Sequence, residues 1–343
     1  MPEMDELKNQ INEDLSGFLD AKVKEAENIF SSSYDIAKVL REYTMRGGKR
    51  IRACMTVFAF LCFKDFDEGI IKAAISMELV QSCLLIHDDI IDEDDLRRGG
   101  KTVHKIYEEI EKDRHFGESA AILVGDLANA FIIETIMRTD FDAAAKLKAI
   151  GKIQEMFVKE CYGQMEDIFM EKHKGNSDAI LKMYSLKTVP YTADAPLYIG
   201  AVLGNANRDA FKILEEWGSR IGLAFQIKDD IIGVFGKKEE TGKPNDSDIK
   251  KGKNTFLIHK TREMCTAEEK KFIDGCLGNE NASEEDIKKA REIIRNCGAL
   301  DFCENFCNNL AKEAGLILEK SGFRKEGIES LGEMASFIIN RNY

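Results

Sequence analysis

The stretch Leu84-Leu85-Ile86-His87-Asp88-Asp89-Ile90-Ile91-Asp92-Glu93-Asp94-Asp95-Leu96-Arg97-Arg98-Gly99-Gly100 runs from apolar residues into a block of carboxylates and then into two arginines. Its first part continues a mostly apolar segment from Ile75, which reads as a helix that must be buried. On that helix Asp88 and Asp92 stand four residues apart and project from one face. Like charges at this spacing repel by roughly 0.2–0.5 kcal/mol, and carboxylates at a helix C-terminus oppose the macrodipole. A solvated acidic helix end is the ordinary explanation of such a run, but this one emerges from a buried segment. Local conflicts of this kind mark function. A hard divalent cation, which takes carboxylate oxygens at about 2.0–2.6 Å, resolves it.

The rest of the chain supports an all-helical fold. Four prolines in 343 residues, at positions 2, 190, 196 and 244, leave long uninterrupted stretches, and strand-like alternation is scarce. A hydrophobic fraction of 44% is enough for a substantial core, and a single domain over 1–343 is expected, with no linker and no repeat apparent. The net charge of −12 argues against nucleic-acid binding. The nine cysteines are odd in number, form no Cys-x-x-Cys and follow no signal peptide, which points to reduced thiols in the cytoplasm. No apolar run is expected to span a membrane.

A second acidic pair, Asp229-Asp230, lies in the apolar helix expected from Arg208 to Phe235. Between the pairs, Gly163-Gln164 precedes Asp167, and the proline after Lys187-Thr188-Val189 interrupts a helix beside a cation and a hydroxyl. Near the N-terminus, Gly47-Gly48-Lys49-Arg50-Ile51-Arg52 opens an apolar helix with cations at the positive end of the dipole, an arrangement that makes sense if an anion sits there. Residues 236–253 read as a polar loop long enough to act as a lid. Beyond it, Thr266-x-x-Glu269 and Ser283-x-x-Asp286 look like helix N-caps.

Taken in order, these motifs resemble the trans-isoprenyl diphosphate synthases, with the archaeal farnesyl and geranylgeranyl diphosphate synthases nearest in style. Gly47–Arg52, Asp88 to Asp92 with Arg97-Arg98, Gly163-Gln164 with Asp167, Lys187-Thr188, Gln226 with Asp229-Asp230, and Thr241-Gly242-Lys243-Pro244 with Lys253 carry the resemblance over nearly the whole chain. It implies a helical bundle of the isoprenoid synthase type around a deep central cavity, usually as a homodimer. The implied reaction joins isopentenyl diphosphate head-to-tail to an allylic diphosphate (dimethylallyl, geranyl or farnesyl) and releases diphosphate, which takes the final proton. Asp88, Asp92 and Asp229 are implied ligands of a cluster of about three Mg2+ ions completed by substrate phosphates. Asp89, Asp230 and Asp167 would add to these ligands or support them. Arg97, Lys187, Lys243 and Lys253 would bind the allylic diphosphate. Lys49, Arg52, Gln81 and Arg98 would bind isopentenyl diphosphate. Thr188 and Gln226 would face the allylic carbocation. Three departures from the family pattern are Gly233, where many relatives carry aspartate, Ala53, where proline is common, and Asp246 in the lid, where glycine is usual.

Product length follows from the cavity floor. Short-chain relatives place bulky aromatics one turn before the first aspartate; here those positions are Cys83 and Leu84, with Val80 a turn further back. A floor without aromatics implies geranylgeranyl diphosphate or a longer product. The alternatives are a class I terpene cyclase, which has no need of a second diphosphate site, and a non-catalytic partner subunit of a heteromeric synthase.

Overall fold

A computed structural model describes residues 4–173, 175–236, 247–279 and 281–341. The chain is almost entirely helical, as its patterning requires. In order it forms α1 (Met4–Glu27), α2 (Ser31–Met45), α3 (Ile51–Leu61), α4 (Gly69–Ile91), α5 (Val103–Glu111), α6 (Arg114–Met137), α7 (Ala143–Lys172) and α8 (Ser177–Lys187). These are followed by α9 (Ala195–Leu203), α10 (Arg208–Phe235), α11 (Ser247–Lys250), α12 (Phe256–Met264), α13 (Ala267–Cys276), α14 (Glu284–Asn296), α15 (Ala299–Glu319) and α16 (Lys325–Asn340). Among the described residues the strands are a short hairpin of β1 (Leu96–Arg97) and β2 (Gly100–Lys101), which register Leu96 with Lys101 and Arg97 with Gly100. Its turn, Arg98-Gly99, has positive φ at both residues (51° and 74°), the geometry that matches the twist of a two-residue hairpin.

The chain divides into two compact units. The first comprises residues up to Gln154 with Ala195–Phe211 and Phe323–Ile328; the second comprises Glu155–Asp194, Lys212–Gly322 and residues from Glu329 onward. In the first unit α4 packs on α6, and α3 packs on α4 and α9. Every residue of α3 is buried. Its approach to α9 depends on Gly200, where a Cβ would lie 2.1 Å from the Thr56 carbonyl oxygen. In the second unit Ile227, Ile231 and Val234 of α10 share a core with Phe256, Ile258, Cys303 and Cys307. The capping boxes expected at Thr266/Glu269 and Ser283/Asp286 both form at the starts of α13 and α14.

The expectation that no run could span a membrane is corrected in part, because α4 and α6 are both long and apolar enough by length and composition. Most of α4 is buried inside the protein, the pattern of a core helix. α6 differs: Phe116, Ile122, Leu123 and Met137 leave an apolar face exposed.

Candidate active site

The first aspartate motif closes α4. Asp92 is the C-cap, its N–H bonding the Asp88 carbonyl at 2.7 Å, and Glu93 then turns the chain out through a left-handed conformation at φ 52°. Asp88 and Asp92 are half-buried, but Asp89 is 0% exposed. Its Oδ2 accepts the Tyr43 hydroxyl at 2.6 Å and its Oδ1 accepts Arg97 Nε at 2.7 Å. The hairpin carries Arg97 inward, where its guanidinium also reaches Asp94 at 3.0 Å and lies 3.7 Å from Asp88 Oδ2. Burial, and then the Asp89 charge, hold the Tyr43 phenol far above its ordinary pKa, so it stays a hydrogen-bond donor. In this structure both Asp89 oxygens accept hydrogen bonds within the protein. Arg97, expected on a diphosphate, hydrogen-bonds Asp89 and Asp94 in this structure.

The second motif sits on α10. Asp230 is buried, its Oδ2 accepting the Tyr184 hydroxyl at 2.6 Å and its Oδ1 accepting Gln226 Nε2 at 2.9 Å. Thr188 donates to Gln226 Oε1 at 2.7 Å, and the Phe256 N–H donates to the Tyr184 oxygen at 3.0 Å. Asp229 is the open member of the pair, its side chain 42% exposed and 2.6 Å from Arg341 Nη2. Arg341 also donates to the Phe225 carbonyl at 2.6 Å, and its guanidinium carbon lies 3.9 Å from the centre of the Phe225 ring. A cavity of about 130 Å3 is lined by Asp167, Lys187, Thr188, Gln226, Asp229 and Lys253, so this part of the expected site is assembled. Lys187 pairs with Asp167 at 2.5 Å. Gly163 makes that approach possible, since a Cβ there would lie 2.2 Å from the Lys187 nitrogen. The proline break appears as a π-helical turn over Pro190–Asp194, a feature frequent at functional sites.

The basic residues near α3 also converge. Gln81, with its amide oriented to satisfy both neighbours, accepts from Arg98 Nη2 and Arg52 Nη1, each at 3.2 Å. Arg98 Nη1 donates to the Gly47 carbonyl at 2.9 Å, and Gly47 and Gly48 hold φ of 101° and 123°, where glycine is favoured. Burial pushes the Arg98 guanidinium pKa down, with the Glu78 charge offsetting part of that loss. Lys49 is half-buried on the same turn. Within the protein, Glu78 meets part of the positive charge at the start of α3: it pairs with Arg50 at 3.0 Å and accepts the Ala53 N–H at 3.4 Å.

On α4, Val80 and Cys83 are buried and Leu84 half-buried. His87 is a packing residue against α6: its Nε2 lies 3.3 Å from the Ile122 carbonyl, and a Cβ on Gly125 would meet its ring. Of the expected lid, Ser247–Lys250 is helical and Lys253 lines the cavity, while Lys243 and Asp246 lie outside the described residues. Tyr43, Tyr184, Glu78 and Arg341 escaped the sequence reading; each meets a partner distant in the chain.

Among the described residues no three His, Cys, Asp or Glu side chains converge into a closed metal cage. Asp88 and Asp92 instead offer hard oxygen donors one helical turn apart. That donor set fits Mg2+, which keeps waters and takes phosphate oxygens in place of a full protein shell.

Residues 34–294 match the family model for polyprenyl synthetase. The chain is 34% identical, over 87% of its length, to the short chain isoprenyl diphosphate synthase of Methanocaldococcus jannaschii, of which the match covers 86%. It is 32% identical, over 98% of its length, to the geranylgeranyl diphosphate synthase of Sulfolobus acidocaldarius, of which the match covers 97%. The geranylgeranyl pyrophosphate synthase of Corynebacterium glutamicum, solved with isoprenyl diphosphate and magnesium, superposes with a TM-score of 0.92 at 30% identity, covering 99% of this chain and all of that one.

Proposed function

The chain belongs to the polyprenyl synthetase family, and from that membership we propose that it is a Mg2+-dependent trans-prenyltransferase. It joins isopentenyl diphosphate head-to-tail to an allylic diphosphate, with geranylgeranyl diphosphate or a longer chain as product. The observation that carries the reading is the meeting of Arg52, Arg98 and Gln81 beside the Gly47-Gly48 turn. It supplies an anion-binding cluster distinct from the aspartates, which condensation needs and cyclisation does not.

In this reading Asp88, Asp92 and Asp229 hold Mg2+, which when bound neutralises charge on the departing diphosphate. Arg97, Lys187 and Lys253, with Lys243 from the lid, bind the allylic diphosphate; Arg52, Gln81, Arg98 and Lys49 bind isopentenyl diphosphate. Thr188 gives its hydroxyl hydrogen to Gln226. What its oxygen presents elsewhere is lone pairs, the polarity that stabilises an allylic cation. Incubation with isopentenyl diphosphate, each allylic primer and Mg2+, followed by sizing of the lipid product, tests the reading. Product formed without isopentenyl diphosphate would return it to a cyclase.

The floor reading makes a sharper prediction. Cys83→Phe places a ring one turn before Asp88, and the main product is expected to shorten by one five-carbon unit. An unchanged product length on chromatography moves the floor to another helix. We further propose one catalytic domain acting as a cytoplasmic homodimer. All nine cysteines are free thiols, and the exposed apolar face of α6 suits a second copy. Sedimentation at twice the chain mass is expected; a monomer removes the proposal.

A further inference from the structure

The two aspartate motifs have more in common than their carboxylates. A shift of 141 residues (229 less 88) lays Ile86, Asp88, Asp89, Ile90 and Ile91 on Ile227, Asp229, Asp230, Ile231 and Ile232. The same shift (184 less 43) lays Tyr43 on Tyr184 and Arg46 on Lys187. Each tyrosine stands 46 residues before the second aspartate of its motif and donates to that aspartate's Oδ2 at 2.6 Å. The division of labour on the carboxylates is also the same. In each, Oδ2 serves the tyrosine while Oδ1 holds a side chain with chemistry to do, Arg97 in the first and Gln226 in the second.

We propose that Tyr43 and Tyr184 are matched positioning residues, each fixing the second aspartate of its motif so that this aspartate aims the group that meets substrate: Arg97 in one case, Gln226 with Thr188 in the other. What those groups meet rests on the prenyl-transfer reading. A phenol suits the task because it is a neutral donor and leaves the carboxylate its charge for the opposite oxygen. At Tyr184 the phenol has one orientation. Its oxygen accepts the Phe256 N–H, so its single hydrogen goes to Asp230. Asp230 then requires the amide nitrogen of Gln226, which leaves Gln226 Oε1 to take the Thr188 hydrogen. Tyr184 thus determines which way two dipoles point. Tyr43 holds Asp89 against Arg97, and without it the unsatisfied carboxylate draws the guanidinium away from an incoming phosphate.

The roles predict different kinetic signatures for two identical substitutions. Tyr43→Phe is expected to raise KM for the allylic diphosphate about tenfold, the size of one hydrogen bond to a charged group, with kcat within about twofold. Tyr184→Phe is expected to lower kcat about tenfold with KM unchanged, and to divert substrate to allylic alcohol. In that diversion, water's oxygen bonds to the allylic carbon as its bond to diphosphate breaks with the electron pair, and the water proton passes to diphosphate. If each tyrosine acts through its aspartate, adding it to Asp89→Asn or Asp230→Asn costs little more than the aspartate change alone. Equal falls in kcat for both variants with KM and alcohol unchanged would reflect lost folded protein and overturn the proposal, as would additive double variants. Calorimetric binding of a non-reacting allylic thiolodiphosphate with Mg2+ separates this from the function itself. A wild type without turnover defeats the prenyl-transfer reading, whereas equal affinities of wild type and Tyr43→Phe defeat the positioning role.

Discussion

Asp88→Asn is expected to lower kcat by about a thousandfold, about 4 kcal/mol of barrier, while leaving the melting temperature unchanged or slightly raised. The first half follows from chemistry. The departing diphosphate concentrates negative charge, and a cation lacking one of its carboxylate anchors stabilises that charge poorly. The second half follows from the local conflict in the sequence. Asp88 repels Asp92 one turn on, and both lie at the negative end of α4, so removing one charge relieves roughly 0.2–0.5 kcal/mol. The 3.7 Å contact between Asp88 and Arg97 is too long to be a hydrogen bond and offsets little of that gain. Asp89→Asn gives the control. Asp89 is fully buried and accepts from both Tyr43 and Arg97, so its neutralisation is expected to cost stability through lost charge-assisted bonds. Steady-state turnover and thermal melting of both variants check the contrast. An Asp88→Asn enzyme retaining a tenth of kcat would remove Asp88 from the metal site.

Residues legible in the sequence were those whose neighbours lie within a few turns or whose motif carries its own spacing. Asp88 and Asp92, the capping boxes at Thr266 and Ser283, and the glycines at 47, 48 and 163 all belong to this class. Gln81 was legible as a polar residue two turns before Asp88, but its meeting with both Arg52 and Arg98 needed the loop geometry. Arg341 is more than a hundred residues from Asp229 and Phe225, and no local pattern announces such a contact. The positive charge at the start of α3 was legible, but its partial pairing with Glu78 was not, because helix-end electrostatics do not name a partner. Tyr43 and Tyr184 lay within reach of a sequence reading, since their shared offset from the aspartate pairs is visible once the 141-residue shift is applied. Taken singly, each is an ordinary buried tyrosine.

Glu78→Ala is expected to be the most destabilising of these substitutions, at about 3–5 kcal/mol, because it strands a buried cation. Arg50 is 3% exposed and Glu78 2% exposed, and their contact at 3.0 Å is surrounded by the first unit's core. Arg50 is further tied to Asn12 at 2.8 Å and to the Thr44 carbonyl at 3.2 Å, so it cannot follow its charge into water without breaking the Gly47–Arg52 turn. Its left-handed backbone at φ 52° adds strain that only these contacts hold in place. The pair itself contributes little net stability, since desolvating two ions offsets much of their attraction. That distinction gives the decisive measurement. The double change Arg50→Met with Glu78→Leu is expected to recover most of the loss in melting temperature, because a well-packed apolar pair of similar size replaces a buried ion pair at little cost. It is not expected to restore isopentenyl diphosphate binding, because the turn that carries Lys49, Arg52 and the Arg98 contact loses its anchor. Recovery of stability together with that KM would show the ion pair to be dispensable to the anion-binding turn, and failure to recover stability would show that packing, not the stranded charge, sets the loss.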